Sequence, residues 1–171
     1  PYMILHIPTH GPPLSQYGIR IPASPGRSTR VLNALRGHHD IAASEDRWLI
    51  GPGDYEIDRN DLERVHTEEY LDRIYSDEIG NVMAEVLELY DAEGRPNRYE
   101  PEKAIRPLSD LFDYRLVGLA GSYQVCLEAL DTGFCFYFGG GAHHAHSNFG
   151  HGFCLLNDAC VADCAAHGPY F

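Results

Sequence analysis

Histidines are concentrated in one short segment of this 171-residue chain. Four of its ten histidines fall within nine residues: His143, His144, His146 and His151. Adjacent imidazoles in a site of low dielectric can divide two roles, because one ring can accept a proton while the other stays charged and stabilises developing negative charge. His143 and His144 also follow three glycines, which let the backbone approach a ligand closely. We therefore predict that this pair is catalytic and that His146 and His151 are surface loop residues.

The segment that carries the histidines directly follows a predicted strand. Residues 134–138 are five consecutive apolar residues flanked by glycine, which predicts a central strand buried on both faces. Apolar residues at helical spacing over 116–130 precede it, and Asn157-Asp158 can start a helix after it, with Asp158 as a helix cap. The order helix, strand, glycine loop, helix is typical of a parallel βαβ arrangement, in which ligands bind beyond the carboxyl ends of the strands.

The flanking segments predict further elements of an α/β fold. Residues 2–7 are predicted to form a strand, and residues 170–171 to open another. Ser28 can cap a helix that Gly37 ends, and Thr67 is typical of the N-cap of a second helix. We expect one domain, of which this chain is a part.

Composition and charge exclude several classes of function. The chain carries 13 Lys and Arg against 25 Asp and Glu, a formal net charge of −12, which opposes direct nucleic-acid binding and is compatible with a cationic peptide or amine as partner. No run approaches the roughly 18 apolar residues of a spanning helix, and no secretory signal is visible, so we expect no membrane association. The five cysteines indicate buried free thiols in a reducing compartment, which predicts a cytoplasmic location.

Other sites are weaker alternatives. A zinc site could be built from four residues near the C-terminus: Cys154, Cys160, Cys164 and His167. Their spacing is not that of a Cys-x-x-Cys knuckle, so we expect the cysteines to pack in the core. The glycines at 139–141 could cradle a phosphate, but the Lys-Ser/Thr of a P-loop does not follow. His66, beside Glu68 and Glu69, is interpreted as structural.

The histidine segment belongs to a longer pattern. Residues 140–145 are Gly-Gly-Ala-His-His-Ala, residues 152–154 are Gly-Phe-Cys, and residues 157–158 are Asn-Asp. This pattern resembles the signature of the histone deacetylase superfamily, which includes bacterial amidohydrolases and acetylpolyamine deacetylases. Residues 65–71, Val-His-Thr-Glu-Glu-Tyr-Leu, resemble the family's Val-His-(Ser/Thr)-x-x-Tyr segment, and residues 107–123 resemble the helix before its signature strand. The resemblance spans most of the chain.

The resemblance implies a fold and a reaction. The fold would be α/β and similar to arginase, a three-layer parallel sheet with helices on both faces, and residues 1–171 would be the N-terminal portion of a single deacetylase-like catalytic domain. The reaction would be metal-dependent hydrolysis of an acetamide, in which Zn²⁺ and a histidine base activate water. The substrate would be an acetylated lysine peptide or a small acetylated amine. The metal ligands are expected C-terminal to Phe171, so none is assigned in this chain.

The resemblance also assigns roles to residues of this chain. His144 would be the general base, and His143 would be the charged partner aimed at the developing oxyanion. Gly152 would offer its carbonyl to the substrate amide, and Phe153 would be an aromatic wall along the apolar stem of the substrate. Arg27 follows a Pro-rich loop where the family has an arginine near the acetate exit, so it is a candidate for that channel.

Two alternatives remain open. The chain could be a catalytically inactive deacetylase-like module that serves as a binding or scaffold unit, or a small metal-binding protein that uses its histidine cluster. Residues 105–107 are Ile-Arg-Pro where several family members carry an acidic rim residue, which weakens the case for a histone substrate. An incomplete sheet would expose an apolar edge, so a homo-oligomer is also compatible with the sequence.

Overall fold

The computed structural model describes residues 3–8, 13–20 and 26–167, without the side chains of residues 165 and 167. The predicted strand at 170–171 therefore lies outside the described residues. Within them, three short strands form one parallel sheet: β1 (Met3–Leu5), β2 (Leu49–Ile50) and β3 (Cys135–Tyr137). The strand order is β2-β1-β3, and the predicted parallel arrangement is confirmed.

Helices make up most of the remaining described chain. They are α1 (Arg27–Arg36), α2 (His39–Ala42), α3 (Glu45–Trp48), α4 (Arg59–Glu63), α5 (Glu68–Ile74), α6 (Ile79–Val86), α7 (Leu111–Thr132) and α8 (Asp158–His167), with 3-10 turns at Leu14–Tyr17, Pro101–Lys103 and Leu108–Asp110. Thr67 caps α5 as predicted, since its side chain accepts from the Tyr70 amide. The prediction for Ser28 is wrong, because α1 begins at Arg27 with Gly26 as its N-cap, two residues before the predicted cap. None of the described helices is both long and apolar enough to cross a bilayer.

The strand predicted over 134–138 is shorter and more exposed than expected. β3 pairs only with β1 among the described residues, so no strand lies along its other edge there. Phe134 and Phe136 are 47% and 49% exposed, and the ring of Phe136 packs edge-on against Phe138, 5.4 Å between centroids. The prediction of a central strand buried on both faces is therefore wrong for this sheet.

Helices cover both faces of the sheet. Successive residues of a strand point to opposite faces, so Phe136 and Tyr137 face different layers. Phe136 and Ile4 line an apolar groove of about 590 Å³ with Leu35, Ile41 and Trp48 from the segment of α1 to α3. On the other face α7 packs on β1 and β3, and α8 packs on α7. This is the three-layer α/β arrangement that the resemblance implies.

Helix α7 lies very close to the sheet at Gly121. A Cβ built there would lie 2.5 Å from the Tyr137 hydroxyl and 2.6 Å from Ile7 Cδ1. Gly118, one turn earlier on the same helix, has no atom within 4 Å of the corresponding position. The absence of a side chain at 121 therefore sets how closely α7 lies to β3, and with it the position of the loop that follows β3.

We predict opposite effects of two alanine substitutions on α7. Gly121→Ala should lower the free energy of unfolding by about 1–3 kcal/mol, because the added methyl group forces Tyr137 and Ile7 to move. Gly118→Ala should raise it by up to about 1 kcal/mol, because alanine favours helix without a new clash. Chemical denaturation of both variants checks this. Equal effects would contradict the close packing at residue 121.

Candidate active site

A glycine turn connects β3 to the two adjacent histidines. Gly140 and Gly141 have φ of 75° and 85°, in the left-handed region that favours glycine. A Cβ on Gly140 would lie 2.5 Å from Ser122 Oγ and 2.8 Å from Asp158 Oδ2. Both conformation and space therefore require glycine at position 140.

A buried carboxylate holds this turn in place. Asp158, the first residue of α8, is 4% exposed. Its Oδ2 accepts hydrogen bonds from Ser122 Oγ at 2.7 Å and from the Gly141 amide at 2.8 Å. Its Oδ1 accepts from the Ala142 amide at 2.7 Å. Asp158 thus joins α7, α8 and the backbone immediately before His143.

The role of Asp158 differs from the predicted one. The side chain that caps α8 is that of Asn157, whose Oδ1 accepts from the Cys160 amide at 3.1 Å. Asn157 Nδ2 also donates to the Ala145 carbonyl at 3.0 Å. Sequence reasoning noted the Asn-Asp pair in the family pattern but did not identify the contact between Asp158 and the glycine turn, because the two are 16–17 residues apart in the chain.

The two histidines lie side by side at the surface. Their ring centroids are 4.1 Å apart and the rings are tilted by 41°. His143 Nδ1 lies 2.8 Å from the Gly141 carbonyl oxygen, and since a carbonyl can only accept, Nδ1 is the donor. This leaves Nε2 of His143 directed away from that bond.

Gly152 and Phe153 bring a second loop next to the pair. A Cβ on Gly152 would lie 3.1 Å from His144 Cβ, so Gly152 is in close proximity to the His144 ring. Phe153 has a φ of 66°, which is unusual for a bulky residue and is maintained in part by the hydrogen bond from its amide to the Val86 carbonyl. Phe153 is 46% exposed, so its ring is available for an apolar contact.

His66 ties the start of α5 to the segment after the histidine pair. It is buried, its Nε2 accepts from the Asn157 amide at 3.1 Å, and its Nδ1 is 3.3 Å from the Ser147 carbonyl oxygen. One nitrogen accepts and the other donates, so the ring is neutral, and burial lowers the pKa of His66 below its ordinary value. The geometry agrees with the structural interpretation of this residue.

The structure brings together four of the five predicted site residues. His143, His144, Gly152 and Phe153 come from two loops that meet beyond β3. Arg27 is the exposed first residue of α1, and it does not line the cavity beside the glycine turn. Its role in an acetate channel stays a prediction.

Among the described residues, the other histidines and the cysteines form no further metal-binding cluster. His146 and His151 are exposed, and His146 stacks on Phe149 with 4.3 Å between centroids. All five cysteines lie in the described part of the chain and are free thiols, although Cys160 is exposed and only Cys154 is fully buried. Within the described residues, no three side chains of His, Cys, Asp or Glu are arranged to hold a metal ion.

Sequence reasoning missed Arg115. This residue of α7 lines a cavity of about 90 Å³ beside the glycine turn, together with Gly140, Ala142 and Phe153. A signal was present in the sequence, because Arg115 lies four residues from each of the buried leucines Leu111 and Leu119, on the apolar side of the helix. Arginine on a helix is usually at the surface, which hides this signal.

Comparisons with known proteins agree with the geometry. The family model for the histone deacetylase domain matches residues 21–167. The HD domain of HDA15, known from a crystal structure, matches 96% of this chain with 18% sequence identity and a TM-score of 0.50. At that identity the likeness shows the fold alone. The chain spans 43% of the length of the HDA15 chain.

We predict that the buried His66 makes the chain sensitive to acid. Because the folded state lowers the pKa of His66 below its ordinary 6.5, the unfolded state binds the proton more readily. The contribution of His66 to stability is therefore complete above about pH 6.5 and decreases as the pH falls towards the folded-state pKa. Urea denaturation between pH 7.5 and 5 measures this loss.

Two variants distinguish the effect of His66 on the pH dependence of stability from that of the other histidines: His66→Gln and His39→Gln. His66→Gln should be less stable than wild type at pH 7.5, by about 1 kcal/mol for a lost hydrogen bond, but should lose less stability on acidification. His39 is fully exposed, so His39→Gln should follow the wild-type pH dependence. If His66→Gln and wild type lose stability in parallel, the assignment of a neutral buried His66 is wrong.

Proposed function

Since this chain belongs to the histone deacetylase family, we propose that it supplies the histidine-bearing part of a domain that hydrolyses acetamides. The substrate would be an acetylated lysine peptide or a small acetylated amine. The observation that carries the proposal is the anchored turn: Asp158 holds the backbone before His143 and His144, and so places two exposed imidazoles side by side. Preorganised groups of this kind are effective because they need no rearrangement during the reaction.

His144 serves as the general base in this proposal. Its ring makes no hydrogen bond to any of the described residues, so a nitrogen is free to take a proton from the attacking water. His143 serves as the electrostatic partner. Its Nδ1–H donates to the Gly141 carbonyl, which fixes the orientation of the ring, and Nε2 of the charged ring would donate to the developing oxyanion.

Gly152 and Phe153 hold the substrate in this proposal. The exposed Phe153 ring offers apolar surface to the methylenes of a lysine or an alkyl amine. The Gly152 carbonyl accepts only a weak bond from Cys154 Sγ at 3.5 Å, so it can still accept from a substrate amide. The net charge of −12 favours approach of a cationic peptide or polyamine over an acidic one.

The proposal that the protein uses zinc is supported only by its membership of the family. The described residues do not offer a ligand set, and the Asp158 carboxylate beside the glycine turn already accepts three hydrogen bonds.

Two further parts of the proposal are that residues 1–171 form the N-terminal portion of one catalytic domain and that the protein works in the cytoplasm. The five free thiols support a reducing compartment.

We predict different kinetic effects for two variants of the full-length protein. His144→Ala should lower kcat by about 10²–10⁴-fold, because it removes the general base, while KM changes little. Phe153→Ala should mainly raise KM, because it removes an apolar contact worth about 1–3 kcal/mol along the substrate stem. Steady-state hydrolysis of one acetylated amine measures both variants.

His146→Ala is the matched control, since His146 is an exposed histidine of the same segment that stacks on Phe149. It should retain activity close to that of wild type. Near-normal kcat in His144→Ala would contradict the role given to the pair. A full-length wild-type protein that binds acetylated amines without hydrolysing them would instead support the scaffold alternative.

A further inference from the structure

The side chain of Asn157 joins the loop that carries the histidine pair to helix α8. Its Oδ1 accepts a hydrogen bond from the Cys160 amide at 3.1 Å and so caps α8. Its Nδ2 donates to the Ala145 carbonyl at 3.0 Å and makes a longer contact of 3.4 Å with the His143 carbonyl. The acceptor of this side chain therefore serves the helix, while its donors serve the loop.

The orientation of the Asn157 amide follows from the chemistry of its partners. A backbone N–H can only donate and a carbonyl oxygen can only accept, so Oδ1 faces Cys160 and Nδ2 faces the loop. The backbone of Asn157 is held as well, because its amide donates to His66 Nε2 at 3.1 Å and its carbonyl accepts from the Val161 amide at 3.0 Å. Asn157 is thus a fixed point to which the loop is attached.

The two carbonyls that Nδ2 contacts lie on either side of His144. The His143 carbonyl precedes the His144 amide and the Ala145 carbonyl follows the His144 residue, so both backbone dihedral angles of His144 lie between them. Ala145 is 5% exposed, which places one end of this short segment in the core, whereas His144 is exposed. Fixing this backbone sets the position from which the His144 ring projects.

The Asp158 carboxylate does not fix the backbone of His144. Its oxygens accept from the Gly141 and Ala142 amides, which precede the histidine pair. A loop that was held only at those two amides could still rotate about the bonds of His144. The hydrogen bonds of the neighbouring asparagine supply the constraint that is missing there.

We propose that Asn157 is a positioning residue for the reaction: its side-chain amide fixes the backbone of His144 and so directs the imidazole at the attacking water. This inference rests on the proposed function, which makes His144 the general base. Asn157 itself contacts neither the substrate nor the reacting atoms. A general base must lie within hydrogen-bond distance of the proton that it takes, and a displacement of about 1 Å in an active site can lower the rate by about a hundredfold.

Two variants of the full-length protein remove the donor and keep the helix cap. Serine and aspartate are as favourable as asparagine at an N-cap, but neither carries an NH2 group for the carbonyls. Asn157→Ser and Asn157→Asp should each lower kcat for hydrolysis of an acetylated amine by about ten- to a hundredfold, while KM changes little. Asn148→Ser is the matched control and should keep the wild-type kcat, because Asn148 is an exposed asparagine of the same loop.

An NMR measurement separates positioning from a loss of structure. In protein with isotope-labelled histidine, the imidazole resonances of His144 should shift in Asn157→Ser, whereas those of the fully exposed His39 should not. The Gly141 and Ala142 amides should keep their slow hydrogen exchange, because the carboxylate that accepts from them is unchanged. The melting temperature of the variant should stay well above the temperature of the assay, because the cap of α8 is retained.

Three results would overturn the proposal. They are a wild-type kcat in both Asn157 variants, a lower kcat with unchanged His144 resonances, and unfolding or rapid exchange at Gly141 and Ala142 in both variants, which would make the role of Asn157 structural only. Failure of the proposed function is distinguishable from these results. Wild type would then not hydrolyse acetylated amines, whereas the His144 resonances would still shift in Asn157→Ser.

Discussion

The candidate site depends on one buried carboxylate. Asp158 accepts from the Ser122 hydroxyl and from two consecutive backbone amides, those of Gly141 and Ala142. A buried carboxylate is costly unless its oxygens are hydrogen-bonded, and a turn of two left-handed glycines is costly unless something holds it. The amides of the turn supply hydrogen bonds to the carboxylate, and the carboxylate in return holds the turn. Together they position the histidine pair.

Three elements of the fold bring together the groups that bond to the Asp158 carboxylate. β3 ends where the turn begins, α7 brings Ser122 because Gly121 allows the helix to approach Tyr137, and α8 begins with Asp158. A second support comes from His66, whose two nitrogens join the segment after the histidines to the start of α8. The same region carries the strained backbone of Phe153. Such local costs are common where a protein binds a ligand.

The sequence predicted the parallel α/β arrangement, the Thr67 cap and the glycine turn before the histidine pair, because periodicity, capping chemistry and the glycine run are local signals. That Gly152 and Phe153 join His143 and His144 in one site was implied only by the family resemblance. It did not predict contacts that depend on distant parts of the chain. The anchoring by Asp158 and the close approach at Gly121 arise only when α7 packs against α8 and against the sheet. The exposure of Phe136 was missed for a related reason, since an apolar run indicates a strand that could be buried but not which neighbours cover it.

Hydrogen exchange at two amides tests the central claim most directly. If Asp158 holds the turn, the Gly141 and Ala142 amides, although close to the surface, should exchange far more slowly than the exposed amide of Asp54, which has no hydrogen-bond acceptor among the described residues. Asp158→Asn replaces one accepting oxygen with an NH2 group that faces a donor, and it removes the charge that strengthens the remaining hydrogen bonds. It should therefore accelerate exchange at both positions by at least about tenfold. Exchange at Gly141 and Ala142 as fast as at Asp54 in wild type would contradict the anchored turn on which the proposed site depends.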